Sequence, residues 1–183
     1  MTEHGRTTNI VFAGLGGTGV IRASDIMAGA AFRTGCDVKK SEVHGMSQRG
    51  GSVTSDVRFG AQVLSPMTPA GEADFLVVLH AAQVEVVRHY LAPDGVLITT
   101  DVLFAPEAGP KTLDDDPATP VTSRNYNVAL LGLLSTYLAI GNPAWHAAIQ
   151  AALPEKVQAQ NVAVFTFGQT LRAMAETRAG EGV

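Results

Sequence analysis

Cysteine is nearly absent from this chain: Cys36 is the single one in 183 residues. One thiol cannot build an intrachain disulfide framework, and it cannot ligate an iron–sulfur cluster, which typically takes four. The five histidines, His4, His44, His80, His89 and His146, show no metal-ligand spacing. Charge is also scarce, with Asp, Glu, Lys and Arg making up 16% of the chain against about a quarter in ordinary globular domains. The net charge of −4 and a pI near 5.7 argue against a nucleic-acid binder, which is normally basic. Apolar runs stay short of the roughly 20 residues that span a bilayer. Met1 to Thr8 is polar and carries no signal-peptide core. A soluble, cytoplasmic protein with no membrane and no nucleic-acid partner is expected. Three reactive motifs are missing as well. No glycine loop ends in Gly-Lys-Ser/Thr, no Gly-x-Ser-x-Gly elbow occurs, and no Gly-Asp-Gly begins a thiamine diphosphate motif. No residue stands out as a general base or nucleophile, so the chain reads as a binding domain.

What is present is apolar. Hydrophobic residues make up 46% and the mean hydropathy is +0.16, which predicts one well-filled domain over 1–183, with 1–8 and 178–183 flexible. It also predicts that some apolar surface is covered by another chain. The chain is organised around Asn9-Ile-Val-Phe-Ala-Gly14-Leu15-Gly16-Gly17-Thr18-Gly19, a strand running into four glycines. The spacing Gly14-x-Gly16-x-x-Gly19 is the strand–turn–helix pattern that cradles a phosphate. Glycine allows a tight turn and close approach of a ligand, and the following helix aims unpaired N–H groups at the turn. Val20, Ala23, Ile26, Met27, Ala30 and Ala31 form the apolar face of that helix, with Arg22, Asp25, Gly29 and Arg33 opposite. The competing reading is that these glycines serve only close helix–strand packing.

Gly35 ends the segment and Cys36–Val38 reads as a short second strand. Where a dinucleotide domain places a ribose-binding acid, Lys39 and Lys40 stand instead, either as phosphate ligands or as solvated surface charges. Glu42 to Ser52 has no helical or strand period and concentrates His44, Gly45, Met46, Ser47, Gln48 and Arg49, a loop suited to function. Arg49 there is able to clamp a phosphate or carboxylate through two bonds, or to pair with Glu42. Ser52–Phe59 alternates as a half-exposed strand, Gly60-Ala61 turns, and Gln62–Leu64 returns, so a β-hairpin is predicted. Phe75–Leu79 and Val96–Thr100 read as buried strands joined by a helix over Ala81–Leu91, giving a parallel crossover. Asp101 to Arg124 is a long irregular connection. Asn125 to Ile140 is apolar nearly all round, a core helix or one lying on a partner subunit. Pro143 opens another helix to Leu153, and Asn161–Glu176 forms the last. The fold class expected is α/β: a Rossmann-like, three-layer domain whose mostly parallel sheet carries an added antiparallel hairpin.

Two stretches, Gly14-Leu-Gly-Gly-Thr-Gly19 and Glu42-Val-His-Gly-Met-Ser-Gln-Arg-Gly-Gly-Ser-Val53, together resemble the gamma-type domain of 2-oxoacid:ferredoxin oxidoreductases. Within that family the chain resembles the small, beta-type subunits of the indolepyruvate branch. The likeness continues through Ser65-Pro66, Gly71-Glu-Ala-Asp74, Asn127-x-Ala129-Leu-x-Gly132 and Asn161-x-Ala-x-Phe165. It implies a subunit of an enzyme that oxidatively decarboxylates a 2-oxoacid with coenzyme A, giving acyl-CoA, carbon dioxide and reduced ferredoxin. It implies that thiamine diphosphate and 4Fe-4S clusters reside on a large partner subunit, with ferredoxin reached through the complex, and that this chain binds neither cofactor itself. It further implies coenzyme A as the ligand of Gly14–Gly19 and His44–Arg49. Two other functions fit the glycine loop: a stand-alone NAD(P)-dependent dehydrogenase and a non-enzymatic nucleotide-binding assembly module.

Overall fold

A computed structural model describes residues 6–45, 50–105 and 107–180, with side chains described as far as Arg172. β1 (Thr8–Leu15) is apolar on consecutive residues because both its faces are covered. Ile10 and Phe12 enter one core, and Val11 and Ala13 another on the opposite face. α1 (Val20–Phe32) follows, buried along Val20, Ala23, Ser24, Ile26, Met27, Ala30 and Ala31, the face its periodicity predicts plus one serine. Ser55 Oγ donates to Ser24 Oγ at 2.9 Å, so this buried serine is satisfied across the helix–sheet contact.

The sheet has five strands in the order β2-β3-β1-β4-β5, built by β2 (Asp37–His44), β3 (Ser52–Gly60), β4 (Ala73–Val78) and β5 (Leu91–Thr99). β4 runs parallel to β1 and to β5, whereas β3 is antiparallel to both β1 and β2. Four strands thus share one direction, and the expected α/β class with an antiparallel hairpin holds. The hairpin itself is a different one. It joins β2 to β3, pairing Lys39 with Arg58 and His44 with Val53. Gln62–Leu64 is no strand; Val63 is held where its N–H donates to Asp37 Oδ2 at 2.8 Å, while Leu64 is exposed. β2 is also longer than Cys36–Val38 and takes in Glu42–His44, while β3 begins at Ser52.

The Ala81–Leu91 helix shrinks to α2 (Val84–Val87) between two 3-10 turns. β5 then begins at Leu91, so Pro93-Asp94-Gly95 lies inside an irregular edge strand. Val84 and Val87 pack on Leu76 and Val78, the thin second helical layer. The thick layer holds α1, α3 (Tyr126–Ser135), α4 (Asn142–Ala152) and α5 (Glu155–Gly180). Every residue of α3 is buried within this chain, which overturns the alternative that a partner subunit covers it. α3 stops at Ser135, short of Ile140. Ser135 and Thr136 turn their hydroxyls back on the Gly132 and Leu133 carbonyls there.

Candidate functional site

The glycine loop lies at the carboxyl end of β1, between β3 and β4. Its glycines do four different things. A Cβ on Gly14 would stand 2.5 Å from Thr18 Oγ1 and 2.9 Å from Val20 Cγ2, so Gly14 serves packing. Gly17 has φ of 93° with open space around it, a purely conformational requirement. Gly19 has φ of 86°, and a Cβ there would meet the Asn127 amide at 2.5 Å. Gly16 alone has both an ordinary φ and room for a side chain, with its nearest neighbours at 3.7–3.8 Å. Both readings of the motif are therefore represented, packing at Gly14 and an open cradle around Gly16 and Gly17.

Thr18 closes the turn by donating its N–H and Oγ1 to the Leu15 carbonyl at 3.1 and 2.7 Å. α1 begins with Gly19 as a cap that offers no side chain, and its first turn contains no acidic residue. Its leading N–H groups therefore face the cleft with no carboxylate in their own turn, while Asp25 further along α1 also lines the cleft and is paired with Lys40.

The second motif comes to the same place. Gly16 N–H donates to the Gly51 carbonyl at 2.9 Å, and Gly45 N–H to the Ser52 carbonyl at 2.7 Å. The first bond seats Gly51, just before β3, beside the glycine loop, and the second extends the pairing of β2 with β3. His44 lines the cleft, with its Nε2 3.3 Å from Glu42 Oε2. Met46, Ser47, Gln48 and Arg49 lie outside the described residues.

The cleft has a volume of about 700 Å³, within the range of small-molecule sites. Leu15 to Arg22 form one wall, with Val53 and His44 beside them and Ser123, Arg124 and Asn127 across the mouth. Arg22 and Arg124 are exposed guanidiniums, and neither forms an ion pair among the described residues. Sequence reasoning misses both, because it leaves Arg22 on a solvent face and Arg124 at the end of a long connection. The available signal for Arg22 is a cation in the first turn of a helix, where the dipole favours an anion.

The two lysines are engaged elsewhere. Lys40 bonds Asp25 and Glu42, and Lys39 bonds Asp37 at 2.9 Å. Burial works against the Lys40 charge, but these two carboxylates outweigh it and hold its pKa above the ordinary value. The hydrogen bond from Lys40 in turn lowers that of Glu42. Moreover, β3 separates β2 from β1, so β2 is not the sheet neighbour of the glycine strand, as a dinucleotide fold requires of the strand that carries the ribose-binding acid. Burial raises the Tyr126 phenol above its ordinary range; its hydroxyl donates to the Leu79 carbonyl at 3.2 Å, tying α3 to the residue after β4. Among the described residues no group of three or more His, Cys, Asp or Glu is placed to hold a metal ion, and Cys36 is a free thiol. No described helix is long and apolar enough to cross a membrane.

A family model described as pyruvate ferredoxin/flavodoxin oxidoreductase matches residues 9–171. The indolepyruvate oxidoreductase subunit IorB of Thermococcus kodakarensis is 46% identical over 93 residues, which is 50% of this chain and 45% of that protein. This chain thus spans less than half the length of that curated relative. Two solved structures share the fold. The 2-oxoglutarate:ferredoxin oxidoreductase of Magnetococcus marinus, solved with 2-oxoglutarate, coenzyme A and succinyl-CoA bound, aligns with a TM-score of 0.74 at 20% identity, covering 91% of this chain and 31% of that one. The keto/oxoacid ferredoxin oxidoreductase gamma subunit of Geobacter sulfurreducens aligns with a TM-score of 0.72 at 22% identity, covering 92% of this chain and 98% of that one.

Proposed function

Because the chain belongs to the pyruvate ferredoxin/flavodoxin oxidoreductase family, we propose that it is the non-cofactor subunit of a 2-oxoacid:ferredoxin oxidoreductase of the indolepyruvate type. The complex decarboxylates a 2-oxoacid oxidatively with coenzyme A, yielding acyl-CoA, carbon dioxide and reduced ferredoxin. In this reading thiamine diphosphate and the 4Fe-4S clusters belong to a large partner subunit, a placement supported for the clusters by the single cysteine, too few for their usual four ligands. The setting is the cytoplasm.

The contribution of this chain is to hold coenzyme A. The observation that carries this reading is the cleft. An open glycine cradle at Gly16 and Gly17, an uncapped helix N-terminus and the guanidiniums of Arg22 and Arg124 converge on one volume. Such a set fits a diphosphate: backbone N–H groups bind its oxygens and the two cations balance its charge. Gly14 to Gly19, His44 and Gly45 form the described part of the site, and Met46, Ser47, Gln48 and Arg49 are proposed to belong to it from the sequence alone. By binding and orienting the thioester-forming ligand, the chain reduces the freedom lost when its thiol meets the acyl group. A dehydrogenase reading lacks its ribose acid, because Lys40 is tied to Asp25 and Glu42 on an edge strand.

Purification of the complex from its native source tests the proposal. A brown, iron-containing large subunit carrying thiamine diphosphate, with coenzyme A-dependent oxidation of aryl 2-oxoacids, is the expected result. The isolated chain should bind coenzyme A and turn over nothing. A colourless homo-oligomer that oxidises substrates with NAD would overturn it.

A further inference from the structure

The long connection that precedes α3 is pinned to the main core at two apolar points. Leu113, in a 3-10 turn over Pro110–Asp115, and Val121 are both buried there. Asp114 ties the two arms of the connection together. Its Oδ1 accepts the Ser123 N–H at 2.8 Å, and its Oδ2 accepts the Ser123 hydroxyl at 2.7 Å. Two bonds from one carboxylate to one residue fix orientation as well as position. Ser123 and its neighbour Arg124 are the residues that reach the mouth of the glycine-loop cleft. Arg124 precedes Asn125, the cap of α3, and its own N–H makes only a long bond to Thr122 Oγ1, at 3.3 Å. The direction of its side chain therefore depends on how Ser123 is held.

Asp114 also faces the cavity of about 550 Å³ that adjoins the cleft, together with Arg22 and Arg124. The bonds from Ser123, first the main-chain N–H and then the hydroxyl, hold its pKa below the ordinary value, so the carboxylate is charged at neutral pH. A negative charge in that place opposes an incoming phosphate. Asp115 and Asp116 complete the acidic run, but neither lines the cleft or the cavity.

We infer that Asp114 is a positioning residue: through its two bonds to Ser123 it sets the Arg124 guanidinium at the mouth of the cleft. The inference rests on the reading above, in which this cleft binds the diphosphate of coenzyme A, and adds how one of its cations is put in place. Charge and position act with opposite signs here. Removing the carboxylate relieves a repulsion, which by itself would tighten an anion. Releasing Ser123 frees Arg124, which loosens it. Asp114 and Arg124 are both exposed, so water and salt screen the repulsion. The two bonds to a charged acceptor are short and directional, and the loss of position prevails.

Calorimetric titration of the full chain with coenzyme A decides it, for the wild type, Asp114→Ala, Arg124→Ala and the double variant. Asp114→Ala is expected to weaken binding about fivefold, although it removes a negative charge. In the Arg124→Ala background it should add less than a factor of about two, because the group it positions is gone. Asp115→Ala removes an equal charge one residue along and should stay within about twofold of the wild type. Ser123→Ala keeps the N–H bond and loses the hydroxyl bond, so it should fall between the wild type and Asp114→Ala. It takes the place of Asp114→Ala in the same cycle should that variant fail to fold. Tighter or unchanged binding on loss of these bonds, or an equal loss with and without Arg124, would overturn the positioning role while leaving the coenzyme A reading intact. No binding of coenzyme A to the wild-type chain would overturn both.

Discussion

Gly132 of α3 and Gly168 of α5 meet where the two helices cross: a Cβ on Gly132 would stand 2.9 Å from the Gly168 Cα and would run into the Phe165 carbonyl. The relation is reciprocal, since a Cβ on Gly168 would run into the Ala129 carbonyl. Alanine gains roughly 1 kcal/mol of helix propensity over glycine. Overpacking costs about 1–3 kcal/mol, and here the obstacle is backbone, which no rotamer change relieves. Gly132→Ala and Gly168→Ala should each lower Tm by several degrees, at about 2–4 °C per kcal/mol for a chain of this size. Thermal unfolding checks this; an unchanged or higher Tm would show that the crossing has slack.

The glycine loop should separate into a stability position and a ligand position. Gly17→Ala forces a side chain to φ of 93°, at about 1–2 kcal/mol, and a measurable fall in Tm is expected. Gly16→Ala adds a methyl with no neighbour nearer than 3.7 Å, so Tm should hold while affinity for coenzyme A drops. Differential scanning calorimetry beside a coenzyme A titration distinguishes the two; a stability loss at Gly16 with unchanged affinity would return that residue to packing.

Arg22→Ala and Arg124→Ala should each weaken coenzyme A by roughly tenfold, the lower end of about 1.5–3 kcal/mol for a charge-assisted bond, because both guanidiniums are exposed. Lysine at either position should restore only part, lacking the planar fork. Lys39→Ala is the control, since Lys39 pairs with Asp37. Equal losses at Lys39 and Arg22 would mean that only net charge is being sensed, and added salt would erase them.

Asp56 is buried on β3, and burial raises its pKa above 3.8, against the hydrogen bonds from Ser41 and Thr68. The folded state therefore holds this proton more tightly than the unfolded state. Stability from this group is full below 3.8 and falls as pH rises through the folded pKa. An asparagine side chain there would still accept from Ser41 and carries no charge to desolvate. Asp56→Asn should match the wild type in urea at pH 3 and be more stable at pH 7. The opposite order at pH 7 would assign the larger share to attraction from Arg58.

What was legible follows from burial. Ile10 to Ala13 and Phe75 to Leu79 declared themselves because strands covered on both faces need apolar residues throughout. β2 did not. Its Lys39, Lys40 and Glu42 are charged, as suits an edge strand with one neighbour, and their partners Asp37 and Asp25 become evident only in three dimensions. The hairpin differs from the expected one for the same reason: Gly60-Ala61 is a credible turn, whereas the charged β2 carries no strand signal to pair with β3. In the site, the glycine spacing was visible locally. Asn127 and Arg124 lie over a hundred residues from it in sequence, and no local pattern reports a contact of that range.

The strand order has a consequence for how the chain is made. β1 lies against β3 and β4 but never against β2, so it has no sheet partner until Ser52 to Phe59 has been synthesised. During that interval Ile10 to Ala13, fully hidden in the finished protein, can be shielded only by α1 or by a holding factor. β3 must then insert beside β1 while carrying β2 on its outer edge, a non-local closure that is slow compared with helix formation. The nascent β1–α1 unit is thus the stretch most exposed to aggregation on the ribosome.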